Sequence, residues 1–215
     1  MTTYLYLINA VLARLRESSI SIVGQNAYSS LIGHYINETK RQVEDAWDWD
    51  ALNTTITVST ISGTSNYTVT GIGRRFKNVT VNDSTNDLTL KNVPAQWIRN
   101  QQQLSDVQNA QPCYYAWNGT DGTDSKIELY PTPNGAFSLK INAYVPQADL
   151  SAGTDTLTIQ PEAVIAGAYA RALVERGEDG GLSSAEAYGL FKGILSDQIA
   201  IEASRQHENS EWVAV

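Results

Sequence analysis

The sequence predicts an α+β fold: an antiparallel four-helix bundle with an inserted antiparallel β domain and an extended C-terminal tail. Three observations predict it. Apolar residues recur at helical spacing over the first fifty residues and again after about residue 160; between these the period drops to two; and the last ten residues, QHENSEWVAV, sustain neither period. The expected division is 1–50 for helices one and two, 51–150 for the inserted β domain, 151–205 for helices three and four, and 206–215 for a docking tail. At 215 residues and 42% apolar content, the chain is long enough to bury a real core.

Leu5, Ile8, Leu12 and Leu15 mark a first helix from Thr3 to Arg16. The second is the strongest helical signal, with Tyr28, Leu31, Ile32, Tyr35, Ile36, Val43, Ala46 and Trp47 on one face and Asn26 as N-cap. From Ala51, Thr55, Thr57 and Ser59 alternate with Ile56 and Val58, and the alternation resumes at Tyr67-Thr68-Val69-Thr70 after Ser62-Gly63-Thr64-Ser65. That pattern predicts a hairpin over residues 51–70. Further strands are expected at Lys77–Val81, Leu88–Lys91, Cys113–Trp117, Lys126–Tyr130 and Phe137–Tyr144, with a short helix opened by Pro94. Pro161 starts the third helix and Gly177 ends it, and Ser183 or Ser184 caps a fourth carrying Tyr188, Phe191, Leu195 and Ile199.

The stretch VEDAWDWD, residues 43–50, concentrates acids beside tryptophans, as a sugar-cleaving site would. Helical geometry argues otherwise: Trp47 and Trp49 fall at opposite edges of the apolar stripe, whereas Asp45 and Asp48 point to solvent. Glu44, Asp45 and Asp48 are therefore read as an interaction face or a solvated acidic face, and Trp47 and Trp49 as hinge anchors where helix hands over to strand. Lys40 and Arg41, four residues before Glu44 and Asp45, offset part of the cost of acids at a helix C-terminus.

Other chemistry finds little support. His34 and His207 are the sole histidines, one off the apolar stripe and one in the tail, and Cys113 has no activating neighbour in sequence. GIGRRF (71–76) lacks the third glycine of a phosphate loop and precedes a strand. NGTDGTDSKIE (118–128) misplaces the glycine of a calcium loop. No catalytic residue, cofactor or metal is expected. A formal charge of −8 disfavours nucleic-acid binding. No apolar run spans a bilayer, MTTYLYLINAVLARLRESS reads as a helix and not a signal, and the lone cysteine suits the cytosol.

The opening YLYLINAVLARLRE, the stretch YSSLIGHYINETKRQVEDAWDWDALNTTITVST, the strands continuing to YTVTG and RRFKNV, and the closing PEAVIAGAYARALVERGED resemble the adaptor, or head-to-tail connector, proteins of tailed bacteriophages. The likeness is to the tail tubular protein A branch of short-tailed phages. It implies a structural virion protein forming a ring, usually of twelve copies, between the capsid portal and a nozzle or other tail protein. The ring lines a channel through which DNA passes without specific binding. It also implies that a C-terminal segment, here Arg205, His207, Trp212, Val213 and Val215, engages the portal, and that the protein assembles in the host cytoplasm. The alternative is a tail- or fibre-associated carbohydrate-binding module using Tyr114, Tyr115, Trp117 and Tyr130; a hydrolase built on the acidic cluster is a weaker reading.

Overall fold

A computed structural model describes residues 2–104, 109–177 and 182–205. The predicted tail, with His207, Trp212, Val213 and Val215, lies outside the described residues. The chain divides into two compact units: residues 1–51 with 147–215, and residues 52–146.

The first unit is helical. Helix α1 (Tyr4–Arg14) begins where the Thr3 hydroxyl accepts the Tyr6 amide, and it buries Tyr4, Leu7, Ile8, Val11 and Leu12. Helix α2 (Ala27–Ala46) opens with a reciprocal capping box between Asn26 and Ser29. The fourth helix in chain order, α4 (Pro161–Arg176), starts with proline and stops at Gly177, whose φ of 62° suits glycine. Helix α5 (Leu182–Ala203) begins ahead of the serines expected to cap it. Backbone bonds from Tyr4 to Asp155 (2.7 Å), Leu5 to Gly153 (3.2 Å) and Leu157 to Thr2 (3.0 Å) tie the start of α1 to the turn before α4.

The expected four-helix bundle does not form. In a bundle each helix keeps one side in water, but α4 is buried at every position from Ala163 to Ala168 and packs against α1, α2 and α5. Its small residues admit neighbours all round, so it sits at the centre of the cluster. At Gly167 an added Cβ would collide with the Thr39 methyl and meet the Phe191 ring at 3.0 Å, which places α2 and α5 on the α4 backbone at one point. Helix α1, at 11 residues against 20, 16 and 22 for the others, is too short to form a full bundle edge.

The second unit holds β strands and one helix. Its first sheet runs β1 (Asn53–Ser59), β10 (Ser138–Tyr144), β3 (Lys77–Asp83), β4 (Leu88–Thr89). The second runs β2 (Asn66–Thr68), β8 (Ser125–Tyr130), β7 (Tyr114–Thr120), β5 (Lys91–Asn92). A two-stranded ribbon joins β6 (Asn109–Ala110) to β9 (Thr132–Pro133). Both four-stranded sheets contribute to one core, with Val81, Leu139, Ile141 and Ala143 from the first and Tyr115, Ile127 and Leu129 from the second. Helix α3 (Ala95–Gln102) buries Ile98 and packs on β7 and β8.

The hairpin predicted over 51–70 is likewise corrected: β1 pairs with β10 and β2 with β8. Thr60 turns the corner, its amide donating to Phe137 O (2.9 Å) and its hydroxyl to Gly135 O (2.9 Å). An alternating run on each side of a glycine turn fits a strand that switches sheets as well as one that doubles back. The same switch splits the predicted strand Leu88–Lys91 at buried Leu90, between β4 and β5. The domain is also not wholly antiparallel, since β5–β7 and β6–β9 pair in parallel.

The helical unit yields two testable outcomes. Gly167→Ala should lower unfolding free energy by about 1–3 kcal/mol through overpacking, read from denaturant melts. The Asp155 carboxylate accepts the amides of Ser151 (2.8 Å) and Ala152 (2.7 Å), which hold its carboxyl below the usual range. A depressed folded value contributes stability that is present above the unfolded carboxylate pKa and is lost as pH falls through the folded one. Amide exchange at Ser151 and Ala152, corrected for intrinsic rates, should therefore lose protection on acidification below about pH 4, and Asp155→Asn should remove that pH dependence.

Candidate assembly surfaces

Helix α2 ends at Ala46, and Trp47 is already extended (φ −151°, ψ 168°), so a helical wheel cannot place Asp48 or Trp49. The two tryptophans consequently do not flank one helical stripe. Trp49 is buried and its indole donates to Val43 O (2.7 Å), covering the last turn of α2, while Trp47 is half-buried.

The acids separate. Glu44 is 3% exposed and leaves the proposed acidic face altogether, because it pairs with fully buried Lys40 at 3.2 Å. Asp45 is exposed and Asp48 half-buried. The Lys40 ammonium also donates to Gln147 O (2.6 Å), and Glu44 accepts the Gln147 amide (3.2 Å). Gln147 is the first residue of the helical unit after the insertion. On the outgoing side, the Asp50 amide donates to Glu202 on α5 (2.8 Å), and Glu202 is 5% exposed. Buried charge therefore fixes both the departing and the returning chain. Arg205 pairs with the other Glu202 oxygen at 3.4 Å.

Helix α5 distributes its residues unusually. It buries Ala187, Phe191, Gln198 and Glu202 while exposing Tyr188, Leu190 and Ile201. Of the predicted stripe, Phe191 is buried, Leu195 and Ile199 are half-covered, and Tyr188 faces out. Leu190 and Ile201 border that buried side on one flank of the helix and Tyr188 borders it on the other, so exposed apolar groups edge the packed stripe on both sides. The sequence held the signal: in LSSAEAYGLFKGILSDQIAIEA the apolar residues are not gathered on one side, while α5 packs chiefly on α4.

The aromatic residues of the β unit pack on one another. Tyr115 is buried and its hydroxyl accepts from Asn78 (2.7 Å); burial pushes that phenol's pKa up. Trp117 meets Phe76 edge-on at 4.4 Å, and Trp97 sits against Tyr114 (5.0 Å, 53°) and Tyr130 (5.5 Å, 90°). Rings turned edge to face stabilise each other but offer no coplanar platform for a sugar.

The loop motifs are spent on each other. Asp121 accepts the amides of Asp124 (2.8 Å) and Thr123 (2.9 Å), which lower its pKa, and Asp124 accepts the Gly73 amide (2.8 Å). Gly73 O receives the Ser125 amide and hydroxyl, so GIGRRF is a turn clasped by the 118–128 hairpin loop. His34 is exposed, and Cys113 is half-buried with its thiol 3.6 Å from Gln111 O. Among the described residues no group of three or more His, Cys, Asp or Glu is placed to hold a metal ion.

Glu44, Glu202, Asp121 and Asp124 are thus committed to clamps and turns. The SU10 adaptor protein family model matches residues 2–213, and the chain belongs to that family. No curated protein matches it. Membership makes it a structural phage head–tail adaptor and a virion component that contacts other head and tail proteins. No helix among the described residues is long and apolar enough to cross a membrane.

Lys40→Met should cost about 3–5 kcal/mol in a denaturant melt, since it strands buried Glu44, whereas Lys40→Met with Glu44→Leu should recover much of that loss.

Proposed function

We propose that the chain forms a ring, of twelve copies, joining the capsid portal to a nozzle or other tail protein around the channel through which DNA leaves. The observation that carries this reading is the exposure of Leu190 and Ile201 together on one flank of α5, with Tyr188 exposed on the other flank. Neighbouring copies pack laterally through α5. Burying such groups against an adjacent copy gains roughly 25 cal/mol per Å² of apolar surface removed from water.

Charge supports the same reading. Residues 52–146 carry seven Lys/Arg against six Asp/Glu, net +1, whereas the helical unit carries eight against seventeen, net −9. An acidic helical ring repels the passing polyanion and leaves DNA unbound. The near-neutral β unit serves protein contacts toward the tail. The C-terminal segment, with Arg205, His207, Trp212, Val213 and Val215, engages the portal as the likeness to tail tubular protein A implies. Asp45 and Asp48 form an accessory contact face, and Trp47 and Trp49 anchor the handover between units.

Native mass measurement of portal rings mixed with the full chain tests the proposal. Twelve added copies are expected. A chain ending at Arg205 should bind portal at least about tenfold more weakly, and Leu190→Asp with Ile201→Asp should give partly filled portals. Equal binding by the shortened chain excludes the segment's role, and full occupancy by the α5 variant excludes lateral packing through that face.

A further inference from the structure

Strand β1, NTTITVS, is the edge of its sheet and is seven residues long. The other sheet edges are short: two residues for β4, three for β2 and two for β5. Natural proteins blunt long edges with charge, proline, bulges or covering loops. This edge has none of the first two, its register with β10 is continuous, and Asn53, Thr54, Thr55, Thr57 and Ser59 are exposed.

Hydrogen-bond parity shows which backbone groups face outward. Leu52 O accepts the Val145 amide and the Thr60 amide donates to Phe137 O, so the even-numbered residues are those bonded to β10. In an antiparallel ladder the alternate residues turn the other way. The N–H and C=O groups of Asn53, Thr55, Thr57 and Ser59 thus point to the open edge, with no partner strand among the described residues.

We propose that this edge pairs with the same strand of a second copy, antiparallel across a twofold axis through Ile56, joining two four-stranded sheets into one. Such pairing matches Asn53 with Ser59, Thr55 with Thr57, and Ile56 with Ile56. Every outward-bonding residue meets another outward-bonding residue. The Ile56 pair falls at the closer, non-bonded spacing on the face where Ile56 and Val58 already pack on the core. The strand carries no charge, so like-sign repulsion does not oppose the match. Length selects the occupant: of the edges this chain offers, β1 alone supplies seven residues to satisfy seven. A rotational ring has no twofold between neighbours. The pair therefore belongs to the protein off the ring, where it covers an edge that would otherwise template aggregation.

The test uses the full chain alone, without portal, so it stands or falls separately from the ring. Sedimentation or native mass should show a concentration-dependent dimer on the order of 100 μM or below. Thr57→Pro removes an outward donor while sparing the ladder to β10, and should give a monomer. Thr55→Lys with Thr57→Lys, and Thr55→Glu with Thr57→Glu, should each be monomeric alone and form a heterodimer when mixed, a rescue that a folding defect cannot produce. A monomer at every concentration overturns the proposal, as does a dimer that survives all three changes. Wild-type protein that stays monomeric while Thr57→Pro blocks incorporation into virions also overturns it, and gives the edge to a different protein.

Discussion

The rest of the helical unit depends on a buried ion pair. Lys40 and Glu44 lie one turn apart on α2 with both side chains wholly out of water. A pair so placed recovers its desolvation cost only when its remaining hydrogen-bonding capacity is used. Here Gln147 uses it, donating its amide to Glu44 and accepting from Lys40 through its carbonyl. The Gln147 side chain continues the chain of contacts, donating to Thr156 O (2.7 Å) and accepting the Thr158 amide (3.1 Å) just before α4. Asn37, one turn earlier on α2, holds Leu150 in the same two-sided way at 2.9 and 3.0 Å. Polar groups on one face of α2 thus set the path of the chain as it returns from an insertion of nearly a hundred residues. An apolar face alone would bury that segment without fixing its register.

Glu202 performs the matching task where the chain departs. A helical unit interrupted by a long insertion must hold two distant pieces of chain together, and the entropy of closing that loop opposes it. Carboxylates that accept backbone amides are directional and strong in a dry setting, which suits them to this role. It also separates the acids of that helix end: Glu44 stabilises the fold, Asp45 is exposed and Asp48 half-buried.

Much of the fold was legible in the sequence, for identifiable reasons. Asn26, Pro161 and Gly177 mark helix ends through local backbone chemistry, which needs no tertiary information. The strands at Lys77, Ser125 and Ser138 follow from alternation. What was not legible is pairing. Nothing local distinguishes a glycine turn inside a hairpin from one at a sheet corner, so the partner of Asn53–Ser59 is fixed only by Ser138–Tyr144, far along the chain. The four-helix bundle failed on a related point: AVIAGAYA marks close packing but not the number of neighbours. Burial of Glu44 and Glu202 was likewise hidden: the spacing of Lys40 and Glu44 is visible, but the backbone amides of residues 147 and 50 that also meet these carboxylates are not. The exposure of Tyr188, Leu190 and Ile201 could have been seen, because the apolar residues of α5 are spread round the helix and cannot all reach α4.

Buried carboxylates hold both ends of the insertion in the helical unit. Residue-resolved amide exchange at Asp50 and Gln147 in the full chain tests it most directly, because each amide donates to one of those carboxylates. Both should exchange only through global unfolding, with the same free energy as core amides of α2. Exchange at the rate of open loop amides at either position would contradict it.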